Sequence, residues 1–273
     1  MNLVAAASDP RAIPSLEVFA AVPHRLSALV TMPDRPKGRG RKAEESALAS
    51  WVRARGIPVL QPADINACPE LASLAPEVLA VIAYGQKLGP ALLALPRHGC
   101  LNLHPSLLPK YRGAAPIPRA ILAGDEETGV CIIRMVDRMD AGPVLACARE
   151  PIRPEDTAET LGERLFLKGA ELFSEVLSRL PFEGVPQDES KATRAPMLKK
   201  EDGLLDLSGD PVLNERKVRA LQPWPGAFAV VQGRRLKIWK ARVAQGALEL
   251  LDVQAEGRRR MPYSEYLKGV RPA

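Results

Sequence analysis

Three side chains near the middle of the chain have the chemistry to act together on a carbonyl group. Asn102 and His104 stand two residues apart, and Asp140 follows in the turn-like stretch Asp140-Ala141-Gly142-Pro143. An amide N–H can stabilise an oxyanion, and an imidazole can polarise that oxygen or move a proton near neutral pH. A carboxylate can fix the imidazole tautomer and assist proton transfer. The set suits attack by an external amine on an acyl or formyl carbon.

A strand ending at His104 is expected to bring the first two of these side chains together. Period-two alternation puts Asn102 and His104 on one face, and Pro105 cannot donate to a sheet ladder, so the strand should end there. The apolar run Val78–Ala83 precedes it as a strand buried on both faces. Open α/β sheets bind ligands at the carboxyl edge of their strands, which is where these side chains would lie.

Each of the three residues also has a purely structural interpretation. A histidine two residues from an asparagine is weak evidence by itself, and Asp140 stands in a sequence typical of turns. Ser106 lacks the Gly-x-Ser-x-Gly pattern, which disfavours a serine hydrolase. Only the joint pattern of several motifs along the chain favours catalysis.

Strand and helix patterns alternate to about residue 180. Strands at Gly129–Met135 and Val144–Ala148 are expected to pair across Asp137–Pro143, and a long helix begins at Asp156-Thr157. The sequence therefore predicts an α/β fold with a doubly wound, mostly parallel sheet over residues 1–180. Residues 181–204 are rich in Pro, Glu, Gln and Lys and are predicted to be a linker. Short strand patterns in 205–273 predict a small β-barrel domain.

The positive charge is concentrated in that last segment and in one loop. The net charge is +6, and residues 205–273 carry 13 Lys and Arg against 7 Asp and Glu. Asp34–Lys42 holds five basic residues and two glycines, which predicts a mobile cationic loop. A basic segment attached to a neutral body suggests a polyanionic partner, although charge alone favours a merely basic surface equally well.

Composition narrows the class of protein further. The 273 residues, 46% of them apolar, are enough for one large domain and a small one. The sequence has no run of eighteen apolar residues, so we expect no membrane span. The N-terminus lacks a basic region typical of signal peptides. The four cysteines are scattered without a Cys-x-x-Cys pair, so we expect free thiols, no metal site and a cytoplasmic location.

The chain resembles the 10-formyltetrahydrofolate-dependent formyltransferase family. Asn102-Leu103-His104-Pro105-Ser106-Leu107-Leu108-Pro109 and Asp140-Ala141-Gly142 carry the resemblance to the whole family. The chain further resembles the family members that act on initiator tRNA, and this resemblance lies in the basic loop, Arg112–Ile117, Pro223–Ala227 and Lys237–Ala241. The second domain is shorter than in that family, so its OB-like barrel is expected to be incomplete.

The resemblance implies a site with three parts. Asn102 and His104 would stabilise the tetrahedral oxyanion, and Asp140 would orient His104 and help remove the amine proton. The donor 10-formyltetrahydrofolate would lie along Tyr84, Gly85, Gln86, Ser106, Leu107, Leu108, Pro109 and Arg112. The loop residues Arg35, Lys37, Arg39, Arg41 and Lys42 would contact initiator methionyl-tRNA.

Two other functions stay open at this point. The acceptor could be a small amine, such as a nucleotide-linked amino sugar, which the short second domain favours and the basic loop disfavours. A tRNA- or folate-binding relative without turnover is the other, which the intact Asn102, His104 and Asp140 set disfavours. The sequence leaves the oligomeric state open, and we expect a monomer because no self-complementary interface is visible.

Overall fold

A computed structural model describes residues 1–34, 36–37, 42–43 and 45–269. The described residues of the first part of the chain form the strands β1 (Asn2–Ala7), β2 (Arg25–Val30), β3 (Pro36–Lys37), β4 (Lys42–Ala43), β5 (Val59–Leu60), β6 (Val78–Ile82), β7 (Cys100–His104), β8 (Glu127–Arg134) and β9 (Val144–Pro151). Strands β3 and β4 form an antiparallel pair of their own, and the other seven form one sheet in the order β5-β2-β1-β6-β7-β8-β9.

The sheet is parallel over five strands and antiparallel at one end. Strands β5, β2, β1, β6 and β7 run in the same direction, and β8 runs against β7. The N–H of Arg134 bonds to the carbonyl of Pro143 and the N–H of Ile152 to that of Glu126, so β9 runs against β8. This architecture confirms the predicted mostly parallel sheet and the expected pairing of its last two strands.

The first part of the chain also contains the helices α1 (Ile13–Ala20), α2 (Ala47–Arg53), α3 (Pro69–Ser73), α4 (Pro90–Leu93), α5 (Pro116–Ala123) and α6 (Ala158–Arg179). Helices α1 and α6 cover one face of the sheet, and α3 and α4 cover the other. On one face the rings of Phe19 in α1 and Phe173 in α6 meet edge to face with centroids 5.1 Å apart. On the other, Val4, Leu79 and Leu92 belong to a buried cluster that includes residues of α3 and α4. Burial on both faces explains why β6 is a continuous apolar run.

The prediction of four free thiols is wrong. Cys131 in β8 and Cys147 in β9 form a disulfide with their Cα atoms 4.1 Å apart. The two residues lie at equal distances from the turn that joins these antiparallel strands, so the pairing places them opposite one another. In the described part of the chain, Cys68 and Cys100 are free.

The C-terminal part of the chain forms a helix and a second sheet. Its elements are α7 (Pro211–Ala220), β10 (Phe228–Val231), β11 (Arg234–Ala244), β12 (Ala247–Ala255), β13 (Met261–Pro262) and α8 (Tyr263–Lys268). The four strands are antiparallel in the order β10-β11-β12-β13. Their core contains Leu236, Ile238 and Val253, with Val218 of α7 packed against them. The sequence predicts a small β domain here, and the structure shows it as a four-stranded antiparallel sheet.

The contacts divide the chain into two compact units. The first comprises residues 1–112, 129–150 and 163–193, and the second comprises 113–128, 151–162 and 194–273. Residues 181–204, the predicted linker, are divided between them. Within the first unit, Val185 forms a bridge with Val144, and Thr193 exchanges backbone hydrogen bonds with Pro109 and Arg112. Among the described helices, none is both long and apolar enough to cross a membrane.

Candidate active site

Strand β7 presents Asn102 and His104 on one face at its carboxyl end. Asn102 lies beside Val81 of β6 in the parallel register, and Val81 belongs to the cluster on the α3 and α4 side. Alternation puts His104 on that same side, whereas Leu103 points to the opposite face, towards Gly169 of α6. Asn102 is half-buried, and the His104 side chain is only 4% exposed. The Asn102 amide is therefore partly accessible at the open edge of the sheet, whereas the His104 imidazole is buried there.

The turn between β8 and β9 brings Asp140 to the same place. Its Oδ1 lies 3.5 Å from Asn102 Nδ2, and its Oδ2 lies 3.7 Å from His104 Nδ1. The Asp140 side chain is 14% exposed. Both distances are at or beyond the outer limit of a hydrogen bond, as is common in active sites before the substrate binds. The structure thus gathers the three residues proposed for catalysis within one unit.

The carbonyl of Tyr111 assigns the histidine tautomer. It lies 2.9 Å from His104 Nε2. A carbonyl oxygen can only accept, so Nε2 carries a proton and donates to it. The nitrogen that can gain or lose a proton is then Nδ1, which faces Asp140. Proton movement in this site is therefore directed to the side on which Asn102 and Asp140 meet.

The loop after β7 is fixed by its own polar groups. Ser106 is completely buried, and its hydroxyl donates to the carbonyl of Lys110 over 2.7 Å. Tyr111 follows with a φ of 61°, a left-handed conformation that is uncommon for a residue other than glycine. Its N–H donates to the hydroxyl of Thr193 over 2.8 Å. These bonds hold the Tyr111 carbonyl in position for His104.

Several residues were predicted to bind the formyl donor. In the structure the polar groups of some of them form hydrogen bonds within the protein. The Gln86 amide donates to the carbonyls of Pro62 and Ala63, and its oxygen accepts from the N–H of Ile65 over 2.7 Å. Gly85 packs against Met32. Tyr84 has a buried hydroxyl with no hydrogen-bond partner among the described residues, and burial raises the pKa of that hydroxyl to about 12. All three follow β6 at the edge next to His104.

The remaining predicted donor residues lie in or just after the β7 loop. Leu107 packs against Gly129 of β8, and Leu108 and Pro109 complete the turn, half-buried. Arg112 donates from Nε and Nη2 to Gln187 Oε1 over 3.0 and 2.8 Å, and it forms a two-pronged ion pair with Glu189. The Ser106 and Arg112 side chains therefore shape this loop, and contact of all these residues with the donor stays a prediction.

The predicted tRNA-binding loop is described only in part. Arg35, Arg39 and Arg41 lie outside the described residues. Lys37 and Lys42 lie opposite each other in the β3–β4 hairpin. The role of these cations stays a prediction.

A second set of cations lies on one face of the C-terminal sheet. Along β11, Arg235, Lys237 and Trp239 alternate with residues buried in the core. Lys237 Nζ lies 3.7 Å from the centre of the Trp239 ring, and the Arg235 guanidinium lies 3.7 Å from that of Phe228 in β10. Burial and the neighbouring Arg235 lower the pKa of Lys237. Together with Arg260, which lies 5.3 Å from the Trp239 ring, these residues form what we call the cation–aromatic face.

Two side chains that support the site were not predicted from the sequence. Gln187 donates to the carbonyls of Asp140 and Gly142 over 2.8 and 2.7 Å, and Glu189 holds Arg112. Both lie in the segment predicted as a linker, where no periodicity indicated a packed element. No signal in the residue pattern would have found them, because their partners are backbone carbonyls and side chains distant in sequence.

The part of the chain that the structure describes contains no group of three or more His, Cys, Asp or Glu side chains arranged to hold a metal ion.

Two family models match the chain. The formyl transferase model matches residues 21–177, and the model of the formyl transferase C-terminal domain matches residues 197–247. The methionyl-tRNA formyltransferase of Thermus thermophilus is 43% identical over 271 residues, which cover 90% of this chain and 89% of that protein. Likeness of this extent spans both the sheet that carries the site and the C-terminal domain.

Solved structures share the fold at lower sequence identity. The methionyl-tRNA formyltransferase of Clostridium thermocellum has a TM-score of 0.69 at 17% identity, covering 93% of this chain and 98% of that one. WlaRD, a sugar 3N-formyl transferase solved in the presence of dTDP and 5-N-formyl-THF, has a TM-score of 0.71 at 14% identity, covering 95% and 99%. The fold alone therefore does not choose between the two acceptors, whereas the sequence match is to tRNA enzymes. By its domain models and by its likeness to the Thermus protein, this chain belongs to the methionyl-tRNA formyltransferase family.

Proposed function

We propose that this protein transfers the formyl group of 10-formyltetrahydrofolate to the amino group of methionyl initiator tRNA, for translation initiation. The proposed reaction type rests on the meeting of Asn102, His104 and Asp140 at the carboxyl edge of β7. The proposed acceptor rests on the likeness of 90% of the chain to a methionyl-tRNA formyltransferase. Charged initiator tRNA is a cytoplasmic substrate, so we place the reaction in the cytoplasm.

The proposed reaction is a single acyl transfer without an enzyme-bound intermediate. The methionyl amine attacks the formyl carbon, a new N–C bond forms, and the carbonyl oxygen becomes an oxyanion. The bond from that carbon to N10 of the folate then breaks. The amine loses one proton and N10 gains one, so tetrahydrofolate and formylmethionyl-tRNA leave.

Each member of the site has a role set by its atoms. Asn102 Nδ2 and a protonated His104 Nδ1 both point towards the side where Asp140 lies, and they donate to the oxyanion there. Asp140 draws the proton from the attacking amine and keeps His104 oriented, while the Tyr111 carbonyl holds the far side of the ring. The long ground-state contacts leave room for the reacting groups.

The donor is proposed to lie beside this cluster along Tyr84–Gln86 and the loop from Ser106 to Arg112. Both segments leave the sheet at neighbouring strand ends, since Ile82 of β6 pairs with Leu103 of β7. The Gln86, Ser106 and Arg112 side chains bond to the protein and hold the loops in shape, so the donor is expected to meet mainly the loop backbones and apolar surfaces.

The acceptor is proposed to bind through cations in two places. The loop carrying Arg35, Lys37, Arg39, Arg41 and Lys42 offers charges for phosphates, as does the cation–aromatic face of the C-terminal sheet. Aromatic rings beside cations suit unpaired bases as well as backbone phosphates. A small amino sugar would use neither surface to this extent.

An acceptor comparison tests the proposal. The wild-type protein is incubated with 10-formyltetrahydrofolate and, in parallel, with methionyl initiator tRNA, free methionine or a dTDP-linked amino sugar. We expect N-formylmethionine from the tRNA only, and a steep fall in its kcat/KM with salt that flattens when Arg39, Arg41 and Lys42 are replaced by alanine. Formylation of the amino sugar without formylation of the tRNA would reassign the acceptor.

A further inference from the structure

The turn that carries Asp140 is not held in place by its own backbone alone. Asp140 has a φ of 51°, a left-handed conformation that L residues avoid unless their surroundings impose it. Gly142 lies so close to the carbonyl of Arg134 that a Cβ built there would be 1.8 Å from that oxygen. One side of the turn is thus pressed against β8.

Gln187 holds the other side of the turn. Its Nε2 donates one hydrogen to the carbonyl of Asp140 over 2.8 Å and one to that of Gly142 over 2.7 Å. Both donors of this amide are therefore used, and both bonds end on the segment that positions the catalytic carboxylate. The bonds bracket Ala141 and fix the path of the chain on either side of it.

The orientation of the Gln187 amide is itself determined by its neighbours. Its Oε1 lies 3.0 and 2.8 Å from Nε and Nη2 of Arg112, and a guanidinium can only donate. The oxygen must therefore face Arg112, which leaves the nitrogen to face the turn. Arg112 is fixed in turn by Glu189, which Arg138 also contacts. A flipped amide would set Arg112 against an N–H group and the two carbonyls against an oxygen.

We propose that Gln187 is the positioning residue of the formyl transfer site, holding the Asp140 carboxylate at reacting distance from Asn102 and His104. This inference rests on the proposed function and deepens it, since it explains how a turn with no regular structure can present a catalytic group. The contacts from Asp140 to Asn102 and His104, at 3.5 and 3.7 Å, are already at or beyond the limit of a hydrogen bond, so a small further shift of the turn away from β7 removes them. Gln187 bonds to the backbone of the Asp140 turn and not to its carboxylate, and it meets the predicted donor loop through Arg112, a contact that the Gln187→Glu change keeps.

The deciding variant is Gln187→Glu, which keeps the shape and the Arg112 contact but sets a carboxylate oxygen against the two carbonyls. We expect kcat for formylation to fall about 10- to 100-fold, as for a misplaced catalytic group, with KM for donor and tRNA within about twofold. In an Asp140→Asn background, where the catalytic carboxylate is already gone, the same change should lower kcat by less than about twofold.

The matched control is Gln222→Glu. Gln222 also donates from Nε2 to two carbonyls, those of Val218 and Trp239, over 2.7 and 2.8 Å, and it lies in the second unit. The two variants should lose similar thermal stability, but Gln222→Glu should keep kcat at saturating tRNA. A loss of kcat that merely follows the fall in Tm in both variants would overturn the positioning role.

Hydrogen exchange supplies a readout that does not depend on activity. Backbone amides in residues 137–143 should exchange faster in Gln187→Glu than in the wild type, and at the wild-type rate in Gln222→Glu. Unchanged exchange there, a kcat within twofold of wild type, or additive effects with Asp140→Asn would each refute the inference. If the wild type fails to formylate tRNA, the proposed function falls, and the exchange rates still decide whether Gln187 holds the turn.

Discussion

Replacing Asn102 with alanine removes one proposed oxyanion donor while disturbing little else. The side chain is half-buried, and its bond to Asp140 Oδ1 is 3.5 Å long, at the limit of a hydrogen bond. We therefore expect the free energy of unfolding to fall by less than about 1 kcal/mol. The loss of an oxyanion donor should instead lower kcat by about 10²–10³, which corresponds to about 2.7–4 kcal/mol of transition-state stabilisation.

The assay is pre-steady-state formylation with donor and charged tRNA both saturating, so that binding does not contribute. Asn2→Ala is a matched control at the opposite end of the sheet. The Asn2 amide donates to the carbonyl of Leu74 over 2.7 Å and accepts from the Ser27 hydroxyl. This control should lose more stability, about 1–3 kcal/mol, with the rate of formylation unchanged. A rate for Asn102→Ala within threefold of wild type would refute the oxyanion role.

Three further predictions concern the disulfide, the Arg112 contact and the cation–aromatic face. A thiol assay on the denatured protein should detect two free thiols before reduction and four after it, and four thiols without reductant would contradict the disulfide. The Cys147→Ser change should lower the free energy of unfolding by about 3 kcal/mol. Hydrogen bonding from Arg112 outweighs desolvation and lowers the pKa of Glu189 to about 2. The difference in Tm between wild type and Glu189→Gln should therefore be constant above pH 4.5, the pKa of this carboxyl in the unfolded chain, and should vanish as the pH falls through about 2. A difference in Tm that persists at lower pH would exclude this ion pair as its source. Lys237→Ala should raise KM for tRNA and reduce its salt slope by about 1 without changing KM for the donor, whereas an unchanged slope would remove this residue from the tRNA surface.

The sheet and the placing of Asn102 beside His104 could be predicted because their signals are local. Alternation along a strand is enough to put Asn102 and His104 on one face, and Pro105 marks the strand end. The continuous apolar run Val78–Ala83 likewise identifies a strand covered on both faces. Such features depend on neighbours in sequence, which the sequence itself displays.

The supports of the site could not be predicted, because they depend on contacts between distant segments. Gln187 bonds to carbonyls that lie 45 and 47 residues away, in a segment whose composition is typical of linkers. The disulfide is an intermediate case. Cys131 and Cys147 lie in two strands whose pairing was predicted, but the scattered spacing of the cysteines and the expected cytoplasmic location led to a prediction of free thiols.

The central claim is that the imidazole of His104 takes part in formyl transfer, and His104→Gln tests it most directly. A glutamine amide can still donate to the Tyr111 carbonyl, as His104 Nε2 does over 2.9 Å, but it cannot exchange a proton near neutral pH. Single-turnover formylation of methionyl initiator tRNA should fall at least about 100-fold, with the Kd values for donor and tRNA within twofold of wild type. Formation of N-formylmethionine at the wild-type rate would contradict the account.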